Sequence, residues 1–333
     1  MSPRVQRRRF VRHLGTALAA ACAAAPWLLH AAAPPWPNRP VRLIVVYPPG
    51  GVSDGMARAL AEPLAQALGV PVLIENRAGA GGSVGMDALA RSAPDGCTLA
   101  FSAISPLTLH PLLARVPYDA LRGFAPVASV MRTPVLVVGT PAFAGRSFDD
   151  LIAMARSQPG AVRWATSGVA TIGHMVLAQV RMQSRTEITH IPYQGGGPQL
   201  NDALSAQFEV LSTNVAAQQL QYIESGRLRA LAVGAPARIE ALPSVPTLAE
   251  LGFEKANRDS LFGIFAPART HTAVVQRLHA EINRLLRTEP LRARLRDAYN
   301  IPAGGSIEDF AQEIAIDRRR NRALVTGDRS QFD

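Results

Sequence analysis

Lysine is nearly missing from this 333-residue chain: Lys255 is the only one among 35 basic residues. Pyridoxal Schiff-base chemistry is thereby almost excluded, and no Walker A sequence can be written without a Gly-Lys pair. Cysteine is as scarce, with Cys22 and Cys97 alone. Cys22 falls in a segment that reads as a removed leader, so no intramolecular disulfide is expected, although an exported protein could use one. Cys97 follows Asp95-Gly96 and opens an apolar stretch, which reads as a buried strand residue. Aromatic residues make up only 6%, and nucleic-acid binding would need a basic stripe interleaved with them, so no nucleic-acid partner is expected. The seven histidines show no H-E-x-x-H spacing and no cluster with cysteine, which argues against a zinc site. No cofactor is expected. Beyond the leader no segment approaches about 18 uninterrupted apolar residues, so nothing else is expected to span a membrane.

What is present is a packed chain, 48% hydrophobic, with a formal charge of +10. Its length suits two domains. Half of the net charge sits in residues 1–33, which hold Arg4, Arg7, Arg8, Arg9 and Arg12 and no acid. An alanine-rich apolar run, 14–29, follows, and Ala31-Ala32-Ala33 precedes Pro34. That is the three-part layout of a secretory signal peptide, too short in its apolar part for a comfortable span. Arg7-Arg8-Arg9-Phe10-Val11-Arg12 reads like a twin-arginine signal, and an ordinary Sec leader fits as well. The mature protein is expected to be exported, soluble and monomeric.

Strands and helices alternate along the mature chain. Residues 41–46 form a β-branched run suited to a strand buried on both faces. Pro48-Pro49-Gly50-Gly51 ends it, and Ser53-Asp54 can cap a helix reaching about residue 68. Further strands are read at 70–75, 98–102, 127–131, 134–138, 162–165, 188–191, 209–212 and 230–233, with a helix at 83–91 among the intervening ones. Such alternation implies parallel sheets with helices on both faces. Without a low-complexity linker, two domains suggest a chain that crosses between them and returns.

In open α/β sheets, ligands collect where strand ends feed helix N-termini. Four such junctions are rich in glycine and small hydroxyl residues: 47–54, 102–105, 165–171 and 192–197. Glycine lets backbone N–H groups approach a ligand, and the helix N-terminus adds about half a positive charge. Any one of them alone is an ordinary turn with a helix cap. Four in one chain point to a cleft that holds a carboxylate through amides and hydroxyls.

Two other motifs compete. Gly81-Gly82-Ser83-Val84-Gly85 matches the G-x-S-x-G nucleophile elbow, with Asp259 and His271 in the order a triad would need. The elbow requires a strand running straight into the serine, and residues 76–80 intervene. Gly79-Ala80-Gly81 begins like a dinucleotide fingerprint, but the third glycine position falls on Val84. His174, after the 165–171 junction, could pack that loop or contact an anion. Arg318-Arg319-Arg320 and Arg322 suit the end of a long terminal helix, where cations complement the macrodipole.

The segment from Arg39-Pro40-Val41-Arg42 to Gly51-Val52-Ser53-Asp54 resembles the opening of the Bug family, the periplasmic solute-binding proteins of tripartite tricarboxylate transporters. Further blocks resemble it in the same order. They include Glu75-Asn76-Arg77-Ala78-Gly79-Ala80-Gly81-Gly82, Pro94-Asp95-Gly96-Cys97-Thr98-Leu99, Val116-Pro117-Tyr118-Asp119 and His190-Ile191-Pro192-Tyr193-Gln194-Gly195. The stretches 226–233, 242–250 and 262–267 complete the set, so the resemblance covers essentially the whole mature chain.

The resemblance implies an α/β, two-lobed type II periplasmic-binding-protein clamshell with parallel-rich sheets and helices on both faces. Residues 34–133 plus 261–333 would form lobe 1 and residues 134–260 lobe 2, behind a signal peptide at 1–33. It also implies a small carboxylate ligand, a di- or tricarboxylate or related acid, passed to separate membrane permease subunits. The ligand-binding positions it carries over are Tyr47, Pro48, Gly50, Gly51, Ser53, Asp54, Ser102, Thr166, Ser167, Thr171, His174, Tyr193, Gln194, Gly195 and Asn214. Ser212-Thr213 stands where the family often has Phe-Asp, and a missing acid there would disfavour a ligand ammonium. Tyr47 replaces a usual phenylalanine and Leu261 a usual tryptophan. A periplasmic, non-enzymatic binding protein is therefore expected. The alternatives are a serine hydrolase or transferase using Ser83, and an exported sensor or scaffold with a vestigial cleft.

Overall fold

A computed structural model describes residues 36–332 of the chain. The expected signal peptide, 1–33, lies outside the described residues. The order begins β1 (Val41–Val45), α1 (Val52–Leu68), β2 (Val72–Asn76), α2 (Ser83–Ala90), β3 (Thr98–Ala103). Two single-turn helices, α3 (Ser105–Thr108) and α4 (His110–Leu113), lead to the long strand β4 (Phe124–Thr133). The second sheet is built by β5 (Val135–Gly139), α5 (Phe148–Ser157), β6 (Arg163–Thr166), α6 (Ile172–Ser184) and β7 (Thr189–Pro192). It is completed by α7 (Gly196–Leu204), β8 (Val210–Asn214), α8 (Ala217–Glu224) and β9 (Arg229–Gly234). The chain then returns through β10 (Ser260–Pro267) and ends in α9 (Thr272–Leu286), α10 (Glu289–Asp297), β11 (Ile301–Pro302) and α11 (Ile307–Gly327).

One sheet has the order β11-β4-β10-β3-β1-β2 and the other β7-β6-β8-β5-β9. These are the two lobes of a periplasmic-binding-protein fold. Both sheets are mixed. The strands that carry intervening helices pair in parallel, β1 with β2 and β3, and β6 with β7 and β8. The antiparallel pairs gather on β4, β10 and β5. The reason is topological: β4 leaves the first sheet and β10 re-enters it, so as neighbours they must run in opposite directions. Strand β10, absent from the sequence-derived strand set, is buried at every position.

The break between β4 and β5 falls at Pro134, which has no N–H to continue a ladder; its carbonyl accepts from Val215 N–H at 2.9 Å. Strand β5 illustrates burial on both faces. Val135 and Val137 pack with Trp164 and Phe148, whereas Leu136 and Val138 pack with Phe208 and Leu211. Successive side chains point to opposite faces, so helices on both sides cover one strand. In the first sheet Phe310 of α11 joins Ile44, Ala100 and Phe265 in one core. It rests on Gly263, where an added Cβ would lie 2.3 Å from its ring. Among the described residues no helix is long and apolar enough to cross a membrane.

Candidate functional site

A cavity of about 440 Å³ lies between the two sheets, within the range of small-molecule sites. Four helix N-termini reach its wall: α1 through Gly51–Ser53, α6 through Thr171 and Ile172, α7 through Gly195–Gly197, and α8 through Ala216–Gln219. None of these four has a side-chain cap. By contrast α5 and α11 carry capping boxes on Ser147 and Ser306, and His271 caps α9. A helix whose N-terminal amides receive no side-chain oxygen offers them, with its dipole, to an anion.

The structure brings Tyr47, Pro48, Gly50, Gly51, Ser53, Ser167, Thr171, Gly195 and Asn214 together in the cavity wall. Tyr47 packs edge-on against Phe262 with ring centroids 6.2 Å apart, giving one wall an apolar, aromatic face. Burial pushes its hydroxyl up to about 12, against hydrogen bonds with Ser105 and Ser102, so it stays a neutral donor. Asn214 accepts from Ser260 at 2.7 Å, on the returning strand.

The other six expected residues are not in the wall. The Asp54 carboxylate turns back to accept from Gly50 N–H at 3.0 Å, Asn76 at 2.9 Å and Arg58 at 3.0 Å. Burial opposes its ionisation, but the bonds from Arg58, Gly50 and Asn76 outweigh that and hold it below the usual carboxylate range. Asp54 thus shapes the 47–54 loop from behind. Ser102 is fully buried and donates to the Ala103 carbonyl at 2.7 Å; Ser105, three residues on, faces the cavity instead. Thr166 Oγ1 bonds Gly168 and His190 Nε2, the latter at 2.7 Å, and so fixes its own loop. Tyr193 donates to Asp202 at 2.7 Å, and Gln194 is exposed outside the wall.

His174 is 0% exposed. Its Nδ1 accepts from Ala170 N–H at 3.1 Å, and its ring stacks on His190 with centroids 4.2 Å apart. Burial, then His190 and Arg181, push His174 down to about 3, while burial and Arg181 push His190 down to about 4. Both rings are neutral in the folded protein at pH values where the unfolded chain, titrating near 6.5, binds protons. The stability they contribute is therefore complete above about pH 6.5 and is lost as pH falls towards the folded values. Going from pH 7 to 5 should cost about 2 kcal/mol through His174 alone, roughly 4 °C in the melting midpoint. The substitution His174→Gln should flatten that slope. Equal midpoints for the wild type at the two pH values would contradict the assignment.

The elbow serine has no triad. Ser83 is 4% exposed and its Oγ lies 2.5 Å from His110 Nδ1 and 2.9 Å from the Tyr118 hydroxyl. Tyr118 donates its proton to the Pro106 carbonyl, so Ser83, His110 and Tyr118 form one buried hydrogen-bonded set away from the cavity wall. Asp259 pairs with Arg132, and His271 caps α9.

Residues that sequence reasoning did not single out also line the cavity: Thr213, Gln218, Gln219, Ser260, Phe262, Arg294, Asp297 and Asn300. Thr213 had been noted only for replacing an acid. The last three follow β10 in the chain and carry no local signal; only the return of the chain brings them to the cleft.

Residues 56–327 match the family described as the tripartite tricarboxylate transporter family receptor. Protein BugT of Bordetella pertussis is 38% identical over 283 residues, 84% of this chain and 85% of the relative. MatC of Rhodopseudomonas palustris, solved with bound malate, superposes with a TM-score of 0.82 at 26% identity, over 87% of this chain and 100% of that one. An R. palustris protein solved with adipate gives a TM-score of 0.82 at 29% identity, over 87% of this chain and 97% of that one. With most of its length matched in sequence and in fold, the chain belongs to the TctC/Bug family of periplasmic solute-binding receptors of tripartite tricarboxylate transporters, which are binding proteins and not enzymes.

Proposed function

We propose that this chain captures a small organic acid in the cleft between its sheets, in the periplasm, and presents it to membrane permease subunits of a tripartite tricarboxylate transporter. The observation that carries this reading is the convergence of four helix N-termini without side-chain caps on one cavity. Residues 34–133 with 261–333, and residues 134–260, are the two lobes that close on the solute, after removal of 1–33 as a signal peptide. Closure on a ligand shifts the population towards the form the permease reads. Thr213 puts a neutral hydroxyl in the wall, where the resemblance led to an expected acid, and this supports an acid without an amino group. The malate and adipate held by the two R. palustris relatives are of that class.

A thermal-shift screen of the mature protein against small carboxylates, with and without an amino group, tests the reading. A ligand at 100 times its dissociation constant stabilises by about 2.7 kcal/mol, enough to raise the midpoint visibly. No shift with any acid would overturn the reading. Among single residues, Ser167→Ala removes a wall hydroxyl and should weaken binding by about 1–1.5 kcal/mol, roughly tenfold, with an unaltered melting midpoint. Tyr193→Phe, whose hydroxyl is spent on Asp202, should affect binding much less. Equal losses in the two variants would contradict the placement of Ser167.

A further inference from the structure

Two hydrophobic cores lie on the second sheet and one on the first. A fourth joins the two. In it Val325 and Phe332 pack with Met175 and Ala178 of α6 and with Ala170 of the loop before that helix. Helix α11 starts on the first sheet, where Phe310 sits, and so carries the chain across to the second. A single 3-10 turn, Arg329–Phe332, follows it. The Asp328 carboxylate shapes that turn, accepting from Ser330 N–H at 3.1 Å and from Gln331 Nε2 at 3.1 Å. Bonds on two sides hold it in place. Arg329 donates to the Leu113 carbonyl at 2.8 Å, and Arg181 of α6 donates to the Gln331 carbonyl at 2.9 Å.

The turn bears on a loop of the cleft. Phe332 is 6% exposed and meets His174 edge-on, with ring centroids 5.7 Å apart. The Nδ1 of His174 accepts from Ala170 N–H, so its proton sits on Nε2, which has no partner among the described residues. One hydrogen bond leaves the ring free to swing, and packing by His190 and Phe332 stops it. Ala170 needs that bond, because its φ of +59° is one that residues with a side chain rarely adopt. Ser167 and Thr171, on either side of it, line the cavity. We propose that Phe332, itself outside the cavity wall, is a positioning residue for the solute: by seating His174 it holds the 167–171 loop in the form that lines the cleft. Tight binding then requires the C-terminal turn to be docked on α6. This assignment rests on reading the cleft as the solute site.

The test follows two quantities in the mature protein: hydrogen exchange over residues 167–172 without ligand, and affinity for malate and adipate by isothermal titration. The first three cores are complete without the turn, so Phe332→Ala should fold and lose only local order. It should speed exchange of the Ala170 amide and weaken binding of whichever acid the wild type takes, each about tenfold. Phe332→Leu, which keeps apolar volume but no ring edge, should lie between that variant and the wild type. In a His174→Gln background Phe332→Ala should change neither quantity further, since its effect passes through that ring. Faster exchange confined to 328–332, or equal losses in the two backgrounds, overturns the assignment and leaves the reading of the cleft standing. Should the wild type bind neither acid, the exchange measurements in the two backgrounds still decide the assignment, while the thermal-shift screen decides the proposed function.

Discussion

Gly195→Ala should weaken ligand binding about thirtyfold, through a clash that exists only when the lobes are together. An added Cβ at Gly195 would lie 2.6 Å from Cγ and 2.8 Å from Cδ of Pro48. Pro48 sits in the loop after β1, in the first lobe, and Gly195 opens α7 in the second. A proline ring has no flexible end to move aside, so the two surfaces must separate. Overpacking of this kind costs typically 1–3 kcal/mol, and about 2 kcal/mol on the closed form alone is about thirtyfold in apparent affinity. Gly81 forms a second seam, its Cβ position 2.5 Å from the Val169 carbonyl oxygen.

The positive φ of Gly195, +121°, adds strain to the loop whether the lobes are open or closed. That part lowers the melting midpoint without touching the open–closed balance. Gly197→Ala, in the same glycine run, meets nothing within 4 Å and serves as the comparison. Titration with the acid giving the largest thermal shift should separate the two variants clearly. Equal affinity would mean that the seam does not govern closure.

The second large effect is expected at Arg258, on the stretch that returns from the second sheet to β10. Its guanidinium pairs with Asp317 of α11 and donates to Asn321 at 2.9 Å. Burial, then Arg320, lowers its pKa to about 10, so the charge is held at a cost that the partners offset. Arg258→Met removes that compensation and leaves Asp317, whose side chain is 17% exposed, with Asn321 as its remaining hydrogen-bond donor. Breaking such a pair from one side costs about 3–5 kcal/mol, whereas removing both charges costs far less. Urea unfolding of Arg258→Met, Asp317→Leu and the double variant should therefore be strongly non-additive, the double being the more stable of the Arg258-deficient pair. Additive losses would show that the pair is not a unit. The pair fastens the terminal helix to the segment that returns to β10, so binding should be read alongside stability.

Much of the first half of the molecule was legible in sequence. The strand at 41–46 and the helix from 53 to 68 follow from a β-branched run and a glycine–proline stop. So did the small-residue junctions, because a helix N-terminus that must present backbone amides cannot carry bulky side chains. Within those junctions the facing of each residue was not legible. Ser102 and Ser105 are equally plausible donors in sequence, and only the turn into α3 puts one behind the sheet and the other in the cleft. Asp54, Thr166 and His174 belong to the right loops, yet their polar atoms are consumed in holding those loops.

By itself, then, the sequence determined the alternation of strands and helices, the glycine-rich junctions and the ordered blocks that mark the family. Those are properties of neighbours in the chain, set by backbone preference and hydrophobic periodicity. The tertiary structure alone decided that α10 and the turn after it bring Arg294 and Asn300 to a cleft whose other wall includes Ser167, and that Gly195 meets Pro48. It also buried Ser83 beside His110 and Tyr118, apart from Asp259 and His271. These are pairings between residues far apart in sequence, fixed by the chain crossing to the second sheet and coming back, and no local pattern encodes a contact of that kind.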